Sequence, residues 1–257
     1  MSERCRLVTL NAAHGRGLSL YQGFVSRRRL LRNLDAIAGF LREADADLVA
    51  LQEVDGDSHW NKCLDMPTLL AQRAGYASAL LGVNTRRAGL LHLNYGNALL
   101  SRLPVRHWEN RPFGNAALGE KGFLYAEVSV GRFTVLVVIV HLCYKSPERR
   151  RTQVGRLMEF LGARSPDDAR TPPVVCGDFN APARETDDAV RELQESLRPM
   201  FGDYRIHPVD APTFHALHPN RRLDFVFLPA TFRLLACEVP RVLLSDHLPV
   251  VVDFRVA

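Results

Sequence analysis

Residues 123–140 constrain the fold more tightly than any other segment. FLYAEVSV (123–130) alternates, with Phe123, Tyr125, Glu127 and Ser129 on one face and Leu124, Ala126, Val128 and Val130 on the other. That is the period-2 pattern of a strand. Gly131 marks a tight turn, and FTVLVVIV (133–140) follows as a second strand. VLVVIV, the longest strongly apolar run, is too short to span a bilayer.

Other strands are expected at 7–10, 48–52, 96–100, 105–109, 173–176, 223–228, 233–239 and 249–255. Leu30, Leu34, Ile37 and Leu41 share a helical face over 27–43. A short helix over 65–74 carries Pro67 in its first turn. Ser146 and Pro147 start a helix running to about 161. Thr186 caps another that runs to about 197. Residues 82–95 and 162–172 read as loops. No internal repeat or Ser/Gly/Pro-rich linker divides the chain, so one domain over 1–257 is expected. Hairpins interspersed with helices imply an α/β sandwich: two packed, mainly antiparallel sheets with helices outside.

Composition narrows the class. The 257 residues are 47% hydrophobic, enough for a large core. The net charge of +5 suggests nucleic acid, but only three of the 33 basic residues are lysine. Such an arginine excess fits a GC-rich genome better than a binding surface. Arg27–Arg29 and Arg149–Arg151 fall on expected helices and read as solvated faces, or as an anion-attracting rim. Five widely spaced cysteines with no C-x-x-C suggest neither disulfides nor a thiolate metal site. With no signal-peptide pattern and no amphipathic anchor, the expectation is a cytoplasmic protein without a stable membrane anchor.

Polar residues collect where the strands stop. Asn11, Glu53, His141 and Asp178 follow apolar runs, with Asn180 two positions on; Asp224 starts a run, and Asp246-His247 precede the last one. In an antiparallel sandwich the end of one strand lies beside the start of the next, so all these groups can share one edge. A single strand-terminal Asp or Asn is usually a turn cap; six segments together are harder to dismiss. Oxygen-rich donors suit hard cations such as Mg²⁺ or Mn²⁺. A histidine held by a carboxylate suits proton transfer from water.

The segments LNAAHG (10–15), LQEVDG (51–56), GNALLSRLPV (96–105), VHL (140–142), GDFN (177–180), RLDFVF (222–227) and SDHLPV (245–250) resemble the endonuclease/exonuclease/phosphatase superfamily of metal-dependent phosphohydrolases. They occur in family order over nearly the whole chain. The resemblance implies a four-layered α/β sandwich with its site at one edge. It implies that Glu53 is the principal metal ligand, assisted by Asn11 and Asp246. His247 becomes the general base, oriented by Asp224. Asp178 positions the attacking water or a second metal, while Asn180 and His141 bind phosphoryl oxygens. His14, Asn97 and Lys121 are candidates for substrate contact, each with a plainer turn, rim or surface reading beside it. ENR (109–111), EKGFLYAEV (120–128) and TFHALHPNRRLDFVF (213–227) carry a closer likeness to one bacterial branch.

The leading expectation is a Mg²⁺- or Mn²⁺-dependent phosphodiesterase acting on a phosphoester substrate. DNA or RNA is the first alternative substrate, then a phospholipid or sphingolipid headgroup or a small-metabolite monoester. A non-catalytic binding protein on the same fold is the alternative of another class. Such degenerate relatives lose the base or a ligand, and here the set is complete.

Overall fold

The computed structural model describes residues 3–164, 171–181 and 189–256. Its strands are β1 (Arg4–Asn11), β2 (Leu48–Asp55), β3 (Ser78–Arg87), β4 (Leu93–Ser101), β5 (Val105–Pro112) and β6 (Gly122–Val130). They continue with β7 (Phe133–His141), β8 (Val174–Asp178), β9 (Tyr204–His207), β10 (Asp224–Pro229), β11 (Arg233–Glu238) and β12 (Val250–Arg255). The helices are α1 (Arg27–Ala44), α2 (Met66–Ala74), α3 (Pro147–Gly162) and α4 (Ala189–Phe201).

The strands form two six-stranded sheets, ordered β11-β12-β1-β2-β4-β3 and β5-β6-β7-β8-β10-β9. Strand periodicity dictates the layering. Leu7 points between the sheets with Leu48, Ala50, Leu124, Val137 and Ile139. Its neighbour Val8 points outward with Val49 and Leu51, under Leu30, Leu34 and Ile37 of α1 and Leu70 of α2. On the far side, Val138, Val140 and Phe225 pack beneath Leu157 of α3 and Leu193 of α4. Each central strand is therefore apolar on both faces, as a strand buried on both sides must be. The result is the expected four-layered sandwich.

Two pairs are parallel, β1–β2 across α1 and β7–β8 across α3; the other pairs are antiparallel. Each parallel pair brings two C-terminal strand ends side by side. Local sequence sets the helix starts: Ser146, as expected, and also Ser26 and Asp65 accept hydrogen bonds from the Arg149, Arg29 and Thr68 backbone N–H groups respectively.

Three expectations need correction. Residues 82–95 are the end of β3, a turn and the start of β4. The apolar alternation is missing there because buried positions of β3 hold Asn84 and Thr85. Thr85 Oγ1 donates to Glu120 O across the two sheets at 3.0 Å. The short edge strand β9 was not anticipated at all. Arg150 is buried, not solvated, and donates to Cys143 O at 3.2 Å. Thr186 lies outside the described residues. No helix among those described is long and apolar enough to cross a membrane.

Candidate active site

The sheet edge at the ends of β1, β2, β7 and β8 carries a cleft of about 400 Å³. Asn11, Glu53, Lys121, His141, Asp178, Asn180, Asp246 and His247 line it. The ladder puts them there: His141 is register partner of Asp178, and Asp178 of Asp224. The first sheet supplies Asn11, Glu53 and the segment before β12; the second supplies His141, Asp178 and Asp224.

His247 is held by a buried carboxylate. Its Nδ1 lies 2.8 Å from Asp224 Oδ2, and its Nε2 lies 3.8 Å from Asp178 Oδ2. Thr213 Oγ1 accepts from the backbone N–H groups of Leu223 and Asp224 at 3.1 and 3.2 Å, fixing the orienting carboxylate. Phe214 packs against the imidazole, its ring tilted by 57° at a centroid distance of 4.9 Å. Ser245 answers for the turn: its Oγ accepts from His247 N and donates to Asp246 Oδ1. Burial opposes charge on His247, but Asp224, Asp178 and Asp246 outweigh it and raise its pKa. Burial raises Asp178, while His247 draws it down.

Glu53 faces the cleft from a bulge in β2, where pairing with β4 shifts between Leu51 and Val54. Lys121 Nζ is 3.1 Å from its Oε1, and His14 Nε2 is 3.6 Å from its Oε2. Burial disfavours the Glu53 charge, yet Lys121, His14 and His141 lower its pKa far below the carboxylate range. His14 is itself half of a second dyad, with Nδ1 2.8 Å from Asp55 Oδ2. Trp60 Nε1 donates to the other Asp55 oxygen at 2.8 Å, and Tyr95 meets the His14 ring edge-on at 4.9 Å. His141 is the opposite case. Burial and Lys121 lower its pKa, and Lys121 Nζ lies 3.3 Å from its Nδ1. Its Nε2 is thereby the protonated nitrogen, 3.5 Å from Asp178 Oδ2.

Backbone conformation marks the same place. Ala13, His14, Glu53 and Asn180 all have φ between 45° and 55°, the left-handed region that side chains avoid. Such residues persist where surrounding structure over-determines them, and they concentrate at functional sites.

Not every expected residue reaches the cleft as anticipated. The Asn11 oxygen accepts from Ala13 N and its Nδ2 donates to Asp178 Oδ2 at 2.9 Å, so it offers the cleft a donor rather than a metal-binding oxygen. Asn180 donates to Leu142 O through Nδ2 and to Asp178 Oδ1 through its backbone. Asn97 is fully buried away from the cleft and donates to Gly122 O and Ile139 O in the facing sheet. His14 sits behind Glu53 instead of facing a substrate. Sequence reading missed Arg16, Tyr144, Phe214 and Arg221, which also line the cleft, and Asp55. Asp55 stood inside the LQEVDG stretch, Phe214 and Arg221 inside TFHALHPNRRLDFVF, and Arg16 just beyond LNAAHG, but only the fold shows what they face.

The donor chemistry fits a metal. Glu53, Asp178 and Asp246 all line the cleft, an oxygen-donor set suited to a hard cation, and Glu53 is held against a cationic group, the Lys121 ammonium. Ligand atoms of Asp178, Asp224 and His247 also lie within 4.8 Å of one another, a group that could hold an ion.

Residues 8–247 match the model of the Endonuclease/Exonuclease/phosphatase family. The "Uncharacterized protein YbhP" of Escherichia coli (strain K12) is 28% identical over 255 residues, covering 90% of this chain and 92% of that one. A crystal structure of an endonuclease/exonuclease/phosphatase from Beutenbergia cavernae superposes with a TM-score of 0.74 at 23% identity, over 99% of this chain and 72% of that one. ANGEL2, a 2′,3′-cyclic phosphatase, superposes with a TM-score of 0.69 at 17% identity, over 98% of this chain and 95% of that one. With its sandwich, its polar strand ends and a match over most of its length, the chain belongs to the endonuclease/exonuclease/phosphatase family, whose members are phosphoesterases or nucleases.

Proposed function

We propose that the chain is a phosphodiesterase dependent on Mg²⁺ or Mn²⁺. The observation that carries this reading is the Asp224–His247 dyad, at a cleft lined by carboxylates and cations. Glu53, Asp178 and Asp246 would hold the metal. Once bound, it would polarise a phosphoryl oxygen and oppose the carboxylates that keep His247 charged.

The chain's own groups do the rest. Neutral His247 accepts a proton on Nε2 from a water as that water's oxygen bonds to phosphorus. Asp224 keeps the other proton on Nδ1 and so fixes the tautomer. Asp178 orients the water, and the Asn11 amide holds Asp178 in place. The bond to the leaving oxygen breaks on the opposite side. His141 Nε2–H, Lys121 and Arg16 donate to phosphoryl oxygens, where charge builds in the transition state.

The test is hydrolysis of bis-p-nitrophenyl phosphate and p-nitrophenyl phosphate after chelation, with Mg²⁺, Mn²⁺ or Ca²⁺ restored. Diester cleavage should return with Mg²⁺ or Mn²⁺, and His247→Ala should lose about 10²–10⁴-fold, the usual worth of a general base. Full turnover in that variant would overturn the assignment.

A further inference from the structure

Five large apolar side chains stand in water on two loops beside the cleft. Between β1 and α1, Leu20 is 97% exposed, Phe24 91% and Tyr21 51%. At the β3–β4 turn, Leu90 is 91% exposed and Leu91 66%. Exposed apolar surface gathered in one region marks an interaction face, whereas single scattered residues do not.

Both loops are rooted on the site. Arg16 donates to Asp246 at 2.5 Å and to Ser19 O at 2.5 Å, so the backbone just before Leu20 is tied to the cleft. Tyr95, at the base of the other loop, packs on His14. Residues 59–62 bridge the two: His59 N donates to His92 O at 2.9 Å, and Lys62 Nζ to Gly23 O at 3.4 Å.

The charges beside these tips are of one sign. Arg27, Arg28 and Arg29 follow Phe24, Arg86 and Arg87 precede Leu90, and all five are exposed. Among the described residues none of these guanidinium groups forms an ion pair. Each loop thus presents apolar tips flanked by arginines. That pattern suits an anionic bilayer, where apolar groups enter the acyl boundary and cations stay at headgroup level. Single-stranded nucleic acid would be met by aromatic stacking platforms, and three of the five tips are leucines.

We infer that these two loops dock the protein peripherally on an anionic membrane surface, presenting the cleft to a phosphodiester carried by a lipid. The substrate class rests on the phosphodiesterase reading; the docking surface does not.

The test uses the full chain, sedimented with vesicles of phosphatidylcholine alone or mixed equally with phosphatidylglycerol. Wild type should bind the mixed vesicles and bind less as salt rises. A variant combining Phe24→Ser, Leu90→Ser and Leu91→Ser should lose about tenfold or more in partitioning, since each removes apolar surface that would leave water. Its unfolding midpoint and its turnover of soluble bis-p-nitrophenyl phosphate should match wild type. A second variant, Arg86→Ser with Arg87→Ser, should lose the preference for anionic vesicles. The inference is overturned if wild type stays in the supernatant or if the apolar variant binds equally well. It is also overturned if wild type runs as a dimer that the apolar variant converts to monomer, which would give the surface to a second copy. Vesicle binding without hydrolysis of any diester would uphold the docking surface and overturn the lipid substrate together with the phosphodiesterase reading.

Discussion

His14 and His247 have the same partner type and opposite tasks. Each has an aspartate on Nδ1 and a carboxylate beyond Nε2. His247 lines the cleft; His14 is closed in by Trp60 and Tyr95 and can only steady Glu53. Asp224→Asn should therefore lower kcat by about 10²–10⁴-fold, as a misdirected base does, with KM for the diester little changed in steady-state assays. Remote from the site, Asp253 accepts from Arg4 Nε at 2.8 Å and Arg6 Nη2 at 3.0 Å. The Arg4 hydrogen bond leads in lowering its pKa, with Arg6 adding to it and burial opposing. A carboxylate with a depressed folded-state pKa stabilises above its unfolded pKa and stops doing so as pH falls through the folded one. Asp253→Asn should thus lower Tm at neutral pH, and the gap from wild type should close below about pH 4 in a series of melts. The candidate site residues were legible because their side-chain types stand out at the ends of apolar runs. Asp55 and Asn97 were not, because a buried polar residue reveals its task only through the partner opposite.

At the scale of elements, the legible strands were those that alternate or run apolar, such as β6 and β7. Strand β3 was hidden because its interior positions bond to the other sheet through polar groups, and β9 because four residues on an edge carry too little pattern. Two helix starts were readable from Pro67 and Ser146-Pro147, which act locally. Ser146→Ala should cost about 1 kcal/mol of stability by urea unfolding, the usual worth of an N-cap. Gly177 shows the opposite dependence on context. It has a φ of 137°, and a Cβ there would lie 2.0 Å from Val140 O on the neighbouring strand. Gly177→Ala should lower the urea midpoint by more than the cap variant does, since overpacking costs about 1–3 kcal/mol or more. It should also depress turnover, because Asp178 is the next residue.

For the molecule as a whole, the main fact is that two sheets meet at the site through side chains. Asn11 reaches Asp178, His247 reaches Asp224, and Lys121 reaches Glu53, each pair joining the two halves of the sandwich. Asn97 fastens the layers just beneath, donating from β4 to Gly122 O and Ile139 O. Asn97→Ala would leave buried carbonyls short of a donor, and denaturant titration should show a loss of about 1–3 kcal/mol. Those four links span a seam rather than a single rigid strand pair, so the chemistry depends on how one layer sits on the other. A shift of about 1 Å between layers is enough to cost a catalyst two orders of magnitude, while leaving every strand hydrogen bond intact. Mild denaturant or a trimmed side chain in the inter-sheet core should therefore silence the proposed activity while the circular dichroism still looks native. In that sense the rate of diester cleavage would gauge the alignment of the two layers more finely than any spectrum of the strands.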